Sequence, residues 1–397
     1  MTLPLEGIRI IEMTRAQQGP FSTVMLADMG AEVIKIEEPS TGELSRGITR
    51  GDATAANPYF EAHNRGKKGI TVNVKSEKGR EIVYRLAASS DVFVQNLRPG
   101  VVEKLGVDYK HLSQYNPKII YASASGYGRT GGPEAYKPSF DLAAQAAGGI
   151  MTVTGWPGSP PTPMVIGIAD QTGAMMLSWA ILVALLARER LGIGQELDVS
   201  LLGTEVNLQS WHYTAYSMTG QFPPASTNIW NRPFWNIYQA EDRWFVLSGG
   251  QHRAEYWEKL CRAIGREDLA NDPRFDTSEK RVGNQELVDI FREVFRTRTA
   301  AEWLSILNEQ DIICALVRDY GEVMDDPQAL AQGYIIEHEH PTMGKIKLPG
   351  VPAQLSKTPG QVRASAPELG QHTEEVLTEV AGYTWEELEQ LRDDGVI

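Results

Sequence analysis

One carboxylate stands out by its setting. In VIGIADQTGAMMLSWAILVALLARER a short apolar run leads to Asp170, and a helix apolar on every face begins directly behind it. An aspartate there has two readings. It is a good helix N-cap, bonding backbone N–H groups that lack partners in the first turn. It is also a carboxylate at the positive end of a buried helix, which favours the ionised form by ~0.3–1 kcal/mol and keeps it available as a nucleophile.

Three loops could serve such a group. Ala16-Gln17-Gln18-Gly19-Pro20 sets two amides beside a helix start, where they either bind a carboxylate or oxyanion or merely fill a polar loop. Asn64-Arg65-Gly66-Lys67-Lys68-Gly69 and Asn96-Leu97-Arg98-Pro99-Gly100 are basic loops with glycine turns. They suit phosphate, though solvated turns look the same. Both fall in the stretch 64–137, which holds 13 Lys or Arg against 6 Asp or Glu, in a chain whose net charge is −13. The acidic total argues against nucleic acid as a partner, while the local excess fits a small polyanion. His63, His212, His252, His338, His340 and His372 lack ligand spacing, and His338-x-His340 has no evident third ligand, so no metal site is read. Cys261 and Cys314 have neither zinc nor disulfide spacing, which fits a reducing compartment.

The elements that must carry these residues read as β-α-β units. Residues 8–13 form a strand, Gly19-Pro20 opens a helix that stops at Gly30, and 32–37 form a second strand. The turn between them, T-R-A-Q-Q-G-P, lacks the G-x-G-x-x-G needed for a dinucleotide pyrophosphate. Strands at 70–74, 92–96 and 119–125 follow, with a helix from near Ser76. Strands and helices alternating at this spacing indicate a mostly parallel sheet covered on both faces, with ligands beyond the strands' carboxyl ends. The apolar segment Ala174 to Ala187 is about 14 residues against roughly 20 for a bilayer, so it reads as a core helix and no membrane partner is expected. The N-terminus MTLPLEGIRIIEM shows no secretory signal, which with the cysteines points to the cytoplasm.

From about Pro223 the pattern changes. Residues 234–240 and 244–248 read as a β-hairpin, followed by amphipathic helices near 254–264, 284–296 and 300–309. After about residue 330 come short strands, a Pro-rich stretch and two helices, the last opened by a Thr384–Glu387 capping box. The domain expectation is a large α/β domain over 1–210, a small α+β domain over 225–325, and a return to the large domain over 330–397.

The ordered segments GPFSTVMLADMGAEVIKIE, NRGKKGITVNVKSEKG, VQNLRPGVVEKLG, SGYGRTGG, PSFDLAAQAAGGIMTVTG, IGIADQTGAM and APELGQHTEEVL resemble the class III CoA-transferase family. This family includes formyl-CoA and carnitine CoA-transferases and α-methylacyl-CoA racemase. The resemblance implies a Rossmann-like parallel sheet built from both chain ends, a smaller α+β domain, and an interlocked homodimer. It implies that CoA moves from an acyl-CoA donor to a carboxylic acid acceptor, with no permanently bound cofactor. Asp170 would be the catalytic aspartate, and Gln17, with Gln18, would contact the thioester and the carboxylate. Coenzyme A would lie along Val72, Asn73, Val74 and Lys75, along Asn96, Leu97 and Arg98, and against Lys104 and Lys137. Glu38 stands where the family commonly has arginine, and the glycine flap of the formyl-CoA enzymes is reduced to Gly249-Gly250.

Two rivals remain at this point. A racemase needs an acid/base pair at the α-carbon, but Ser139-Phe140-Asp141 puts phenylalanine where the racemase motif has histidine, and its second residue falls near Gln251. A non-catalytic CoA-binding protein is the other. Trp211, Tyr213, Trp230, Phe234, Trp235 and Tyr238 read either as an aromatic acyl pocket or as hairpin core.

Overall fold

Six short strands rich in Ile, Val and Ala make the central sheet: β1 (Arg9–Met13), β2 (Glu32–Glu37), β3 (Lys68–Thr71), β4 (Val92–Gln95), β5 (Ile120–Ser125) and β6 (Gln195–Ser200). The computed structural model describes residues 2–47, 57–156, 158–221, 232–250 and 254–397. The strand order is β3-β2-β1-β4-β5-β6 with every neighbour parallel. Every residue of β4 and β5 is buried, as a sheet covered on both faces requires. The strand period of two sends Ile10 and Ile11 to opposite faces and into separate cores. The order reverses between β1 and β4. Ligands of such sheets bind in the crevice beyond the strand ends at that point.

One face is covered by α1 (Gln18–Asp28) and the long helix α7 (Ile168–Leu191). Leu26, Leu177 and Ile181 pack with Ile10, Val92 and Ile120. The other face is covered by α3 (Glu77–Ala88) and by two helices from the chain's end, Thr373–Glu379 and Trp385–Asp393. Ile82, Leu86, Leu377 and Leu391 pack there with Ile11, Phe93 and Tyr121. The Thr384–Glu387 capping box opens the last helix as its sequence requires.

Three details differ from the sequence expectation. The third strand ends at Thr71, not residue 74, because Val72 to Lys75 turn toward the Ser76 N-cap of α3 and Asn73 N–H donates to Val396 O at 2.7 Å. The apolar helix α7 runs 24 residues, long and apolar enough by length and composition to cross a membrane. It instead lies over the sheet with Ala174, Leu177, Ser178 and Ile181 buried. Residues 151–162 group with the smaller unit and not with the first 210 residues.

The chain divides into two units, one of 1–150, 163–210 and 327–397, the other of 151–162 and 211–326. In the smaller unit β7 (Trp235–Gln239) and β8 (Trp244–Ser248) form the expected antiparallel hairpin, joined by β9 (Cys314–Leu316). Phe234 and Tyr238 are buried there against Phe245, Phe291, Phe295 and Trp303. Trp211 and Trp235 are exposed; Trp230 and Gln251 lie outside the described residues.

Candidate active site

Gly167, in the left-handed conformation at φ 65°, is the residue that opens α7. Asp170 therefore sits inside the first turn and does not cap it. The cap is supplied from elsewhere. Asp141, the first residue of α6 (Asp141–Ala147), accepts the N–H of Ala169 at 2.8 Å and of Asp170 at 3.2 Å through Oδ1. Its Oδ2 accepts from Gln145 Nε2 at 2.6 Å, and the buried Gln145 also bonds the backbone O and N–H of Met164 at 2.9 Å each. Burial, then the neighbouring Asp141 charge, pushes the Asp170 carboxyl up to about 7. The expectation of a readily ionised carboxylate is thus corrected: desolvation outweighs the helix terminus. At neutral pH both protonation states are populated.

Gln17 stands at the start of α1, opposite this turn. Its Nε2 donates to Gln171 Oε1 at 2.9 Å, and the Tyr59 hydroxyl donates to its Oε1 at 3.4 Å. Burial and then the Asp170 charge hold the Tyr59 phenol well above its usual pKa, so it remains a donor. Two glycines of the α7 segment make room for the amides. A Cβ at Gly167 would lie 2.8 Å from Gln17 Oε1, and one at Gly173 would lie 2.9 Å from Gln18 Nε2. Gln18 itself is buried and spends its Nε2 on Val199 O at 3.1 Å.

The loop bearing Gln17 is held by buried charge. Ala16 adopts φ 61°, an uncommon conformation for alanine, and its N–H donates to Glu43 Oε2 at 2.9 Å. Glu43 faces Lys35, which bonds Glu12 and Thr14 O; Lys67 bonds the same Glu12 at 2.9 Å together with Pro20 O and His63 O. Burial brings the Lys67 ammonium down to about 8, while Glu12, which burial alone would raise, is held low by Lys67 and then Lys35. The network ties β1, β2, α1 and the end of α2 (Pro58–Asn64), the helix that carries Tyr59.

Beyond the strand ends lies a crevice of about 180 Å³ that gathers Val72, Asn73, Val74, Lys75 and Leu97 with Arg15, Val101 and Leu105. Lys104 lies on α4 (Val101–Leu105), exposed between two lining residues, and Arg98 is exposed in the adjoining turn. Asn96 is committed to structure: its side chain bonds the backbone N–H and O of Arg15 at 2.8 and 2.7 Å. Lys137 lies in the loop after β5, exposed and paired with Glu134 at 2.5 Å. The crevice also has an acidic side, Glu37, Glu38 and Glu43. Glu37 pairs with Arg46 at 2.7 Å. Glu38 is brought down to about 2 by hydrogen bonds from Ser40 and then Thr41. His338 and His340 bond Ser365 and Glu61 separately, and no group able to hold a metal occurs among the described residues.

Tyr59, Gln171 and the capping role of Asp141 were not anticipated. Asn57-Pro58 is a helix-start signature, and Asn57 does cap α2 by accepting from Tyr59 and Phe60 N–H. That signal could have placed Tyr59 in a first turn. Nothing local identifies Gln171 as the partner of a residue 154 positions away.

The sequence model of CoA-transferase family III matches residues 5–373 of the chain. Succinyl-CoA:glutarate CoA-transferase of Mus musculus is 34% identical, over 99% of this chain and 90% of that protein. Succinyl-CoA--D-citramalate CoA-transferase of Chloroflexus aurantiacus is 34% identical over 99% of this chain and 98% of its own. Formyl-CoA:oxalate CoA-transferase of Streptomyces avermitilis is 33% identical over the full length of both. A crystal structure of a CAIB/BAIF family protein from Brucella suis superposes with a TM-score of 0.86 at 30% identity, covering 96% of this chain and all of that one. With its six-stranded parallel sheet, this chain belongs to CoA-transferase family III and is an enzyme of the acyl-CoA:carboxylate CoA-transferase type.

Proposed function

We propose that this enzyme transfers CoA through covalent intermediates on Asp170. The observation that carries the reading is a half-buried carboxylate in the first turn of α7, beside Gln17, Gln171 and Tyr59, with its basicity raised by burial. The carboxylate attacks the donor thioester carbonyl, forming an aspartyl–acyl anhydride and releasing CoA thiolate. The thiolate attacks the aspartyl carbonyl, giving aspartyl-CoA and the free donor acid. The acceptor carboxylate then attacks aspartyl-CoA, forming a second anhydride and thiolate, and the thiolate takes the acceptor acyl group and frees Asp170. Each step keeps the acyl carbon activated, which divides one difficult exchange into easier ones. The Gln17 amide and Tyr59 hydroxyl supply donors for the oxyanion and the carboxylate.

CoA is assigned to the crevice at β1 and β4, with Lys75, Arg98, Lys104 and Lys137 for its phosphates. The succinyl, glutarate, citramalate, formyl and oxalate groups named for the relatives make small carboxylic acids the first acceptors and donors to screen. Asp170→Asn nearly preserves shape and removes the nucleophile. It should bind CoA with wild-type affinity by calorimetry and lose transfer; near wild-type turnover would refute the assignment.

We also propose that the enzyme is a cytoplasmic homodimer with interlocked chains, free of nucleic-acid or membrane partners. Met175, Trp179, Leu182, Val183 and Leu186 form an exposed apolar stripe on α7 that an assembly would cover. Light scattering should give a dimer at micromolar concentration, and a stable monomer would exclude it.

A further inference from the structure

Asp141 takes no bond-making part in the exchange proposed for Asp170, yet it holds the backbone that carries it. One of its oxygens accepts the N–H groups of Ala169 and Asp170, and the other accepts from Gln145. Gln145 is fully buried and its amide is also bound at both ends to Met164. Asp141 therefore cannot turn away without giving up three hydrogen bonds. Helices α6 and α7 are joined at the residue that would do the chemistry.

Charge adds a second role. Asp170 is faced by Asp141 from α6 and by the neutral Tyr59 phenol from α2, with Glu43 beyond Tyr59 in the loop after β2. Glu205, on the helix Leu201–Leu208, stands near Asp141; it is buried, its Oε1 has no hydrogen-bond partner, and burial and then Asp141 raise its pKa. Among the described residues no cation acts on Asp170.

We propose that Asp141 is a positioning residue of CoA transfer: it fixes the first turn of α7, and so the aim of Asp170, and sets a second negative charge beside the nucleophile. This rests on the reading of Asp170 as that nucleophile. Position and charge are separable. Asp141→Asn keeps an oxygen for the two helix amides and removes the charge, giving up only the hydrogen bond from Gln145, which an NH2 group cannot accept. Asp141→Glu keeps the charge and displaces the oxygens.

The test is the pH dependence of kcat/KM for full-length wild type, Asp141→Asn, Asp141→Glu and Asp170→Asn, with CoA affinity measured on each. In Asp141→Asn the acidic limb should move down by about one pH unit, with a modest fall of the plateau. In Asp141→Glu the limb should stay within a few tenths of a unit of wild type while the plateau falls by up to about 100-fold, the cost of a misaimed group. An unmoved limb in Asp141→Asn, with Asp170→Asn inactive, would overturn this inference alone. An active Asp170→Asn would overturn the reading beneath it. Should Asp141→Asn fail to fold, Asp141→Ser makes the same charge test with a hydroxyl as acceptor, and the same unmoved limb would count against the inference.

Discussion

The side-chain amide of Gln17 donates to Oε1 of Gln171 at 2.9 Å, tying the loop after β1 to the first turn of α7. The contact depends on the absence of a side chain at Gly167, where the backbone is left-handed and a Cβ would meet Gln17. Gly167→Ala should therefore lower stability by ~1–2 kcal/mol from the positive φ. It should also reduce kcat at least about tenfold by displacing Gln17, with little change in CoA affinity. Thermal melting and steady-state kinetics on one preparation check both effects; unchanged kcat would show that Gln17 needs no such placement.

The exposed cations assigned to CoA make a salt-dependent prediction. Lys137 must leave Glu134 to reach a phosphate, and an exposed pair of this kind is worth ~0–1 kcal/mol, so little opposes the exchange. Arg98→Ala and Lys137→Ala should each weaken CoA binding by roughly fivefold at low salt, the effect shrinking as the Debye length falls below about 10 Å. Calorimetry at two ionic strengths decides the matter. Equal affinity in both variants would remove these residues from the site.

Asp170 also predicts a pH-dependent stability. Its folded-state pKa of about 7 lies above the ordinary 3.8, so folding favours the protonated form. Its stability contribution is fully present below pH ~4 and is lost as pH rises through about 7. Asp170→Asn, which stays neutral, should melt higher than wild type at pH 8, with the gap closing toward pH 4. A constant gap across that range would show that Asp170 is not held in a desolvated site.

Much of the larger unit was legible because strand and helix periods alternate cleanly from Arg9 to Ser125. β6 was not. Its QELDVS is largely polar and only partly buried, as an edge position allows, and it lacks the apolar run that marked β4 and β5. Asp170 could be singled out because a helix so apolar begins at it. Its protonation could not be read, because the burial and the Asp141 charge that control it come from chain 29 residues away. Asn96 shows the same limit: a basic, glycine-turned loop marked the right region, while the bonds to Arg15 that occupy its side chain depend on the β1–β4 pairing.

A transferase need not touch the α-carbon of its substrate. The residue before Asp141 is Phe140, which carries no exchangeable proton for acid/base work, and Phe140 is largely exposed. In heavy water no enzyme-dependent deuterium should enter the α-position of a bound acyl-CoA. Incorporation at a rate comparable with turnover would favour isomerase chemistry on this fold.

Acylation of Asp170 is the central claim, and trapping is its most direct test. With a true acyl-CoA donor at pH 8, where the carboxylate is mostly ionised, hydroxylamine should convert the intermediate to a hydroxamate on Asp170. Mass spectrometry of the peptide containing Ala169, Asp170 and Gln171 should show that adduct in the wild type and none in Asp170→Asn. A label on Asp141 or another carboxylate, or turnover with no trapped species while Asp170→Asn remains active, would contradict the account.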